Sequence, residues 1–495
     1  MSKYTVAVVC VFALGAGLRL TAFFHNRSLW LDEAMLAGSI VSRSYSELAR
    51  PLAYYQRAPL GYLAAVKTFV LIEGANEYAL RAMSLIAALI ALGLFTAFSK
   101  TYFHGSDWLF ACAVFAVSPI SIYYAGEAKQ YSQDLLVSVL LLYIVSRRER
   151  MGRFWGVAAL GAAGAIGMWF SYAAVFVLGA IGALLAFEAI RDRNIGQSVA
   201  TVALAITWLF SLAVFYRISV HDLSGHRVML DYWRDQFVPT SLAEALRWGW
   251  GKYWALFVEP MGTQHGNAGY CSPGGYVIGL LFAVGLASLC VARKELAWII
   301  AGPYLFALLA AAFRFYPFGG FGGRLLLFTL PLTVMGSAEG WRVLTLNHKW
   351  LVGPVLGCAI LLPAIKNSEQ EALGNVEEVR PLIVRMRDEL QSGDRVYVSA
   401  GAGPAFAFYA HDLGYLSGKA LHVTIENPEK PRDISENLRL GNANGSGRLW
   451  LLYSHPPRGS SGDEERLIAA ARKYGKEVDV FQAPGASLHL FKFER

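Results

Sequence analysis

The sequence predicts a polytopic α-helical membrane protein of about eleven transmembrane helices, followed by a C-terminal α/β domain outside the membrane. Three observations carry that prediction. First, AVILMFWYC residues make up 55% of the 495 residues and DEKR residues only 16%, against roughly 25% charge in an ordinary soluble domain. Second, apolar runs of membrane-crossing length recur along the first three quarters of the chain. Third, the charge is unevenly spread: residues 1–365 hold 27 basic and 18 acidic side chains, whereas residues 366–495 hold 17 and 18. The basic excess of the apolar part reads as loop charge that orients membrane spans, not as a nucleic-acid surface. The chain therefore divides into a membrane domain over 1–365 and a soluble domain over 366–495.

Eleven runs are long and apolar enough to serve as spans, at about 4–24, 79–99, 107–123, 131–146, 154–171, 172–189, 198–217, 274–292, 295–313, 325–341 and 350–365. The first lacks a convincing cleavage site and feeds straight into a charged, aromatic loop, so it reads as an anchor rather than a signal peptide. The division near residue 172 falls inside an almost continuous apolar stretch. Short connections carrying Lys3, Lys100, Arg147/Arg148/Arg150/Arg153, Arg191/Arg193, Arg293/Lys294 and Arg342/Lys349 alternate with connections of other character. The positive-inside rule assigns the first set to the cytoplasm. Loop 25–78, turn 124–130, loop 218–273, turn 314–324 and the tail then lie outside the cell membrane.

In the tail, Asp394–Ala400 and Leu449–Tyr453 read as short buried strands and Glu464–Tyr474 as an amphipathic helix. Val478–Phe481 and Ser487–Phe493 close the sheet. No glycine-rich phosphate loop is present there. Five cysteines, Cys10, Cys112, Cys271, Cys290 and Cys358, offer neither a disulfide framework nor zinc spacing.

The external connections concentrate the side chains that could do chemistry. Asp32 and Glu33 stand together just beyond the first span. They suit a base with a metal-binding or supporting neighbour, or simply acids in the first turn of a helix. Arg57 follows in Tyr54-Tyr55-Gln56-Arg57-Ala58-Pro59, before an apolar stretch at 59–72 that is short for a span; it suits an anion contact or a snorkelling side chain. Glu127 and Lys129 sit near membrane depth, where ionised groups have a partner or a function; a local ion pair that caps two helices is the plainer alternative. Arg324 follows Gly319-Gly320-Phe321-Gly322-Gly323, irregular backbone at the membrane edge. It could grip a phosphate with its planar fork or anchor the interface. His221, His226 and His265 match no metal spacing and read as solvated or packed. Asn26-Arg27-Ser28 and Asn444-Gly445-Ser446 match glycosylation acceptors on the outer face.

Four elements in order resemble the GT-C superfamily of membrane glycosyltransferases. They are Leu29-Trp30-Leu31-Asp32-Glu33-Ala34; Ala58-Pro59-Leu60-Gly61-Tyr62 with Ala79-Leu80-Arg81; Tyr123-Tyr124-Ala125-Gly126-Glu127-Ala128-Lys129-Gln130-Tyr131; and Tyr316-Pro317-Phe318 with Gly323-Arg324. The likeness covers roughly the first 340 residues. It is closest to the bacterial and archaeal branch of the dolichyl-phosphate-mannose–protein mannosyltransferase family, which includes the lipid A aminoarabinose transferase. The resemblance implies a polyprenyl-phosphate sugar donor, inverting transfer to a lipid, glycan or protein acceptor at the outer face, and Asp32 as the catalytic carboxylate with Glu33 beside it. Arg57, Glu127, Lys129, Tyr131 and Arg324 become candidates for substrate binding. Some relatives pair an Asp-x-Asp with a divalent cation, so a divalent cation is a possible cofactor, although here the first loop offers Asp-Glu instead. A multi-pass transporter or lipid flippase is the alternative; charges gathered at loop ends rather than at the bilayer midplane weigh against it.

Overall fold

The computed structural model describes residues 2–220, 227–262, 272–346, 352–412, 422–426, 447–455 and 462–493. His221, His226, His265, Cys271 and the Asn444-Gly445-Ser446 acceptor lie outside the described residues. Helix α1 (Lys3–Phe24) opens the chain, capped by the Ser2 hydroxyl, which accepts from Thr5 N. The first loop folds into α2 (Leu31–Ser42), two short 3-10 turns at Glu47–Ala49 and Ala53–Tyr55, and α3 (Leu60–Glu73). At 14 residues α3 is too short to cross a bilayer. Helix α4 (Glu77–Ser99) begins on an Asn76 cap. Then come α5 (Gly105–Ala116), α6 (Pro119–Tyr123), α7 (Tyr131–Arg147), α8 (Arg153–Gly167), α9 (Ala174–Arg191) and α10 (Ile195–Phe215). The long loop holds α11 (Arg227–Tyr232) and α12 (Leu242–Val258), and α13 (Pro273–Ala292), α14 (Lys294–Ala312), α15 (Leu330–Thr345) and α16 (Val352–Leu373) complete the bundle.

Each of the eleven apolar runs holds a helix. Six of them, α1, α4, α9, α10, α13 and α14, are individually long and apolar enough to cross a membrane, and α5 with α6 makes a seventh as a bent pair. Helices α7, α8 and α15 are shorter, and α16 turns polar after Ile365. The lipid explains the outer surface: Val199, Val202, Ile206, Leu209 and Phe210 of α10 are all exposed, which would be unfavourable in water but not against acyl chains. Helices α13 and α15 touch backbone to backbone. A Cβ on Gly285 would lie 1.9 Å from the Gly336 carbonyl oxygen, and one on Gly340 would lie 1.9 Å from that of Leu281. Small residues permit such an approach where no hydrophobic effect drives helices together.

Two runs depart from the expected continuous helix. The third bends by 52° between α5 and α6, because Pro119 has no N–H to continue the ladder and restricts the residue before it. A buried arginine of α1 repairs the break: Arg19 donates to the Ala116 carbonyl at 2.9 Å and to Ser121 Oγ at 2.7 Å. The tenth run stays in a 3-10 segment (Phe321–Thr329) before α15 begins. The ends of the spans that the charge pattern assigns to the cytoplasm gather together, linked by Arg148–Glu188 at 2.6 Å and Arg191–Glu295 at 3.0 Å.

The tail comprises α17 (Val379–Glu389), β1 (Arg395–Val398), α18 (Gly403–Asp412), β2 (His422–Ile425), β3 (Arg448–Ser454), α19 (Asp463–Arg472), β4 (Gly475–Ala483) and β5 (Ala486–Phe493). The sheet order is β2-β1-β3-β5-β4. β1 runs parallel to β2 and β3, whereas β5 runs antiparallel to β3 and β4. The four strands and the helix expected from the sequence are all present; β2, α17 and α18 were not anticipated. One face of the sheet, with α17 and α18, shares a hydrophobic core with the first loop: Leu29, Leu36 and Tyr62 pack in the same cluster as Leu382, Phe406 and Trp450.

Candidate active site

Helix α2 begins at Leu31, which sets Asp32 and Glu33 in its first turn, where the helix dipole favours carboxylates. Successive residues on a helix diverge by about 100°, and the two acids end in different surroundings. The Glu33 side chain is 0% exposed. Arg81 of α4 grips it with two hydrogen bonds, Nε to Oε1 at 2.9 Å and Nη2 to Oε2 at 2.6 Å, and the Ala128 N–H adds a third at 2.7 Å. Arg81 also donates to the Arg27 and Ser28 carbonyls. This pair ties the first loop, α4 and the turn at 124–130 together.

Asp32 faces the other way and keeps 20% of its side chain exposed. Lys129 Nζ lies 3.1 Å from Oδ1, Gln56 Nε2 donates to Oδ1 at 3.1 Å, and Arg324 Nη1 donates to Oδ2 at 3.0 Å. Lys129 also donates to Gln56 Oε1 at 2.7 Å. Two cations thus meet one carboxylate. Burial alone would push the Asp32 carboxyl up. The charges of Lys129 and Arg324, with hydrogen bonds from Lys129 and Gln56, more than offset it and hold Asp32 well below the usual carboxylate range. Arg324 lies over the rings of Tyr131, at 5.8 Å, and Trp233, at 5.5 Å. Gly323, at φ 76°, turns the chain just before it. The preceding turn is braced from the long loop, with Phe318 N donating to the Gln236 carbonyl at 2.8 Å.

Asp32, Lys129, Tyr131 and Arg324 therefore converge, as their sequence positions suggested. Three other candidates lie elsewhere. Glu33 is consumed by Arg81 and does not face the cluster. Glu127 does not pair with Lys129: its extended backbone turns it toward the Trp30 indole, which donates at 2.6 Å, and toward Arg27 at 3.8 Å. Burial and the nearby Glu33 raise the Glu127 carboxyl above the ordinary carboxylate range, against the opposing influence of Arg27 and Trp30. Arg57 lines a neighbouring small cleft with Gln56 and Tyr172. The Asn26-Arg27-Ser28 acceptor is unsuitable in the folded chain, because the Ser28 hydroxyl is buried and donates to Glu378 Oε2 at 2.7 Å.

Gln56 and Trp233 were not singled out from the sequence. Gln56 follows Tyr54 and Tyr55, both at positive φ, 56° and 54°; such strain gathers at functional sites but leaves no mark in the residue types. Arg81 and Arg19 did carry a signal, since each is an ionised residue within an apolar run.

The helical bundle with its roof of loops has the fold of the GT-C membrane glycosyltransferases, as its likeness to solved structures shows. The structure of ArnT from Cupriavidus metallidurans bound to undecaprenyl phosphate matches over 97% of each chain at 11% identity, with a TM-score of 0.58. The oligosaccharyltransferase of Archaeoglobus fulgidus in complex with Zn and sulfate matches over 98% of this chain and 72% of that chain, at 12% identity and a TM-score of 0.56. The same organism's oligosaccharyltransferase AglB, with an inhibitory peptide and a dolichol-phosphate, matches over 99% and 74%, at 11% identity and a TM-score of 0.50. No protein-family model and no curated protein matches the sequence.

Among the described residues, the two acids of the first loop that could hold a divalent cation already have partners. Arginine, lysine and glutamine occupy both oxygens of Asp32, and Arg81 with Ala128 N occupies those of Glu33. Among the described residues, no group of three or more His, Cys, Asp or Glu is arranged to hold an ion.

Proposed function

We propose that the protein is an inverting glycosyltransferase that moves a sugar from a polyprenyl-phosphate donor to an acceptor hydroxyl at the outer face of the membrane. The observation that carries this reading is the Asp32 cluster, in which a candidate base and two phosphate-binding cations from three distant segments meet. Supporting it, two of the fold relatives were solved with undecaprenyl phosphate and dolichol-phosphate. The outward assignment is supported by the cluster belonging to the loops opposite the arginine-rich connections.

The chemistry follows from the charges. An alcohol is a poor nucleophile, and a carboxylate within reach takes its proton as the acceptor oxygen bonds to the anomeric carbon. The bond from that carbon to the phosphate oxygen breaks, and its electron pair leaves on the polyprenyl phosphate. A donor of this class is a phosphodiester with one negative charge, and the product phosphate monoester carries more. Arg324 and Lys129 therefore favour the departing phosphate over the bound donor, as electrostatic catalysis requires. Without donor, the same cations hold Asp32 in a weakly basic state. Phosphate competes for them, and Asp32 regains basicity as its partners turn to the donor. Glu33 has a supporting part here, holding the loop through Arg81. Arg57 would meet the lipid-phosphate or sugar from the adjoining cleft.

The test is a purified-protein assay with labelled lipid-phosphate sugar. Release of free polyprenyl phosphate, lost in Asp32→Asn, supports the transferase. Movement of sugar or lipid across the bilayer without bond cleavage supports the transporter alternative.

A further inference from the structure

The tail holds the start of α2 in place of a local cap. Trp30, at the N-cap position, makes no side-chain capping bond, and the first N–H groups of a helix need partners. For Leu31, the first residue of the helix, and for Ser28 and Leu29 just before it, the partners come from more than 340 residues away. Leu31 N donates to Glu377 Oε2 at 3.0 Å, Leu29 N to Tyr409 Oη at 2.7 Å, and Ser28 N to Glu378 Oε1 at 3.2 Å. The acceptors are themselves secured. His455 Nδ1 pairs with Glu377 Oε1. Tyr409 donates to Glu77 Oε1 at 3.0 Å, and Arg380 meets that same oxygen at 2.5 Å. The buried apolar side chains Leu29, Leu36, Phe406 and Tyr409 lie in the same core, so the contact is packed as well as polar.

We propose that Glu377 and Tyr409 are positioning residues for Asp32, so that the docked tail is part of the transfer machinery rather than an appendage. Asp32 is the residue next to Leu31, and its carboxylate lies 3.1 and 3.0 Å from two cations of other segments. A carboxylate at Leu31 N fixes the first turn in space and also favours the helix dipole. An ångström of misplacement at a reacting group suffices to lower a rate severely. This inference rests on the transferase reading for its activity readout but not for its structural one.

The experiment uses the full-length protein, comparing wild type with Glu377→Ala, Glu377→Gln, Tyr409→Phe and, as a control, Arg466→Ala on the exposed face of α19. Polyprenyl-phosphate release gives kcat and donor KM, and hydrogen exchange follows the amides of residues 29–35. Glu377→Ala should lower kcat about tenfold, leave donor KM unchanged and speed exchange at Leu31. Glu377→Gln keeps the acceptor oxygen and should recover most of the kcat. Tyr409→Phe should speed exchange at Leu29, and Arg466→Ala should change nothing. Wild-type kcat and exchange in Glu377→Ala would overturn the proposal, as would a glutamine variant as impaired as the alanine one. Should Glu377→Ala fail to fold, Glu377→Gln and Tyr409→Phe decide: wild-type exchange at Leu29 in Tyr409→Phe overturns it. If wild type releases no polyprenyl phosphate, the transferase reading falls, and exchange alone supports or overturns the tail's hold on α2.

Discussion

Replacing Asp32 by Asn keeps the shape of the side chain but removes the charge that Lys129 and Arg324 meet at 3.1 and 3.0 Å. Two opposing effects follow. Loss of a general base lowers transfer by roughly 10²–10⁴-fold. Donor binding should tighten, because the phosphate no longer competes with a carboxylate for the two cations. A charge-assisted hydrogen bond contributes roughly 1.5–3 kcal/mol, and the donor must displace at least one. Releasing it corresponds to roughly ten- to a hundred-fold in Kd. The assay is equilibrium binding of a labelled polyprenyl-phosphate sugar to protein in lipid nanodiscs, alongside single-turnover release of polyprenyl phosphate. An inactive variant that binds donor more tightly is the expected pair of results. Weaker donor binding would refute the competition, and normal turnover would remove Asp32 as the base.

The remaining expectations concern pH, donor contact and the buried pair. Asp32 has a depressed folded-state pKa, so its pairing contributes stability that is full above the ordinary carboxylate pKa and lost as pH falls through the lower folded value. The acid limb of kcat/KM, which reports the free enzyme, should therefore lie below that of kcat, which reports the donor complex in which phosphate has taken the cations; coincident limbs would contradict the exchange of partners. Arg324→Ala should raise donor KM, and Arg324→Lys should restore it only in part, since the planar fork is lost; steady-state kinetics over donor concentration checks both. Arg81→Met leaves Glu33 charged and buried and should destabilise the protein by roughly 3–5 kcal/mol, seen as a lowered Tm of the purified protein. Glu33→Gln with Arg81→Met together should recover much of that loss.

The membrane architecture was legible because its physics is local. A segment crosses a bilayer if its own residues are apolar for long enough. The strands at Arg395–Val398 and Arg448–Ser454 were legible for a like reason, being continuous apolar runs. β2 (His422–Ile425) was not, because its place in the sheet comes from pairing with β1. The break at Pro119 was foreshadowed by the proline, but its repair by Arg19 depends on a helix nearly a hundred residues away.

The candidate site divides in the same way. The residue types at Asp32, Lys129 and Arg324 announced themselves, because ionised groups at membrane depth need a reason. Which acid of the Asp32-Glu33 pair faces the cations depends on the rotation of α2, and that rotation is set by Arg81, Ala128 N and the tail residues Glu377 and Tyr409. Composition and spacing along the chain determined that there is a bundle in a membrane with charged loops at one end. Only the tertiary structure decided which of those charges meet, because a hydrogen bond of 3 Å between segments hundreds of residues apart is a property of packing and leaves no periodic trace in either segment.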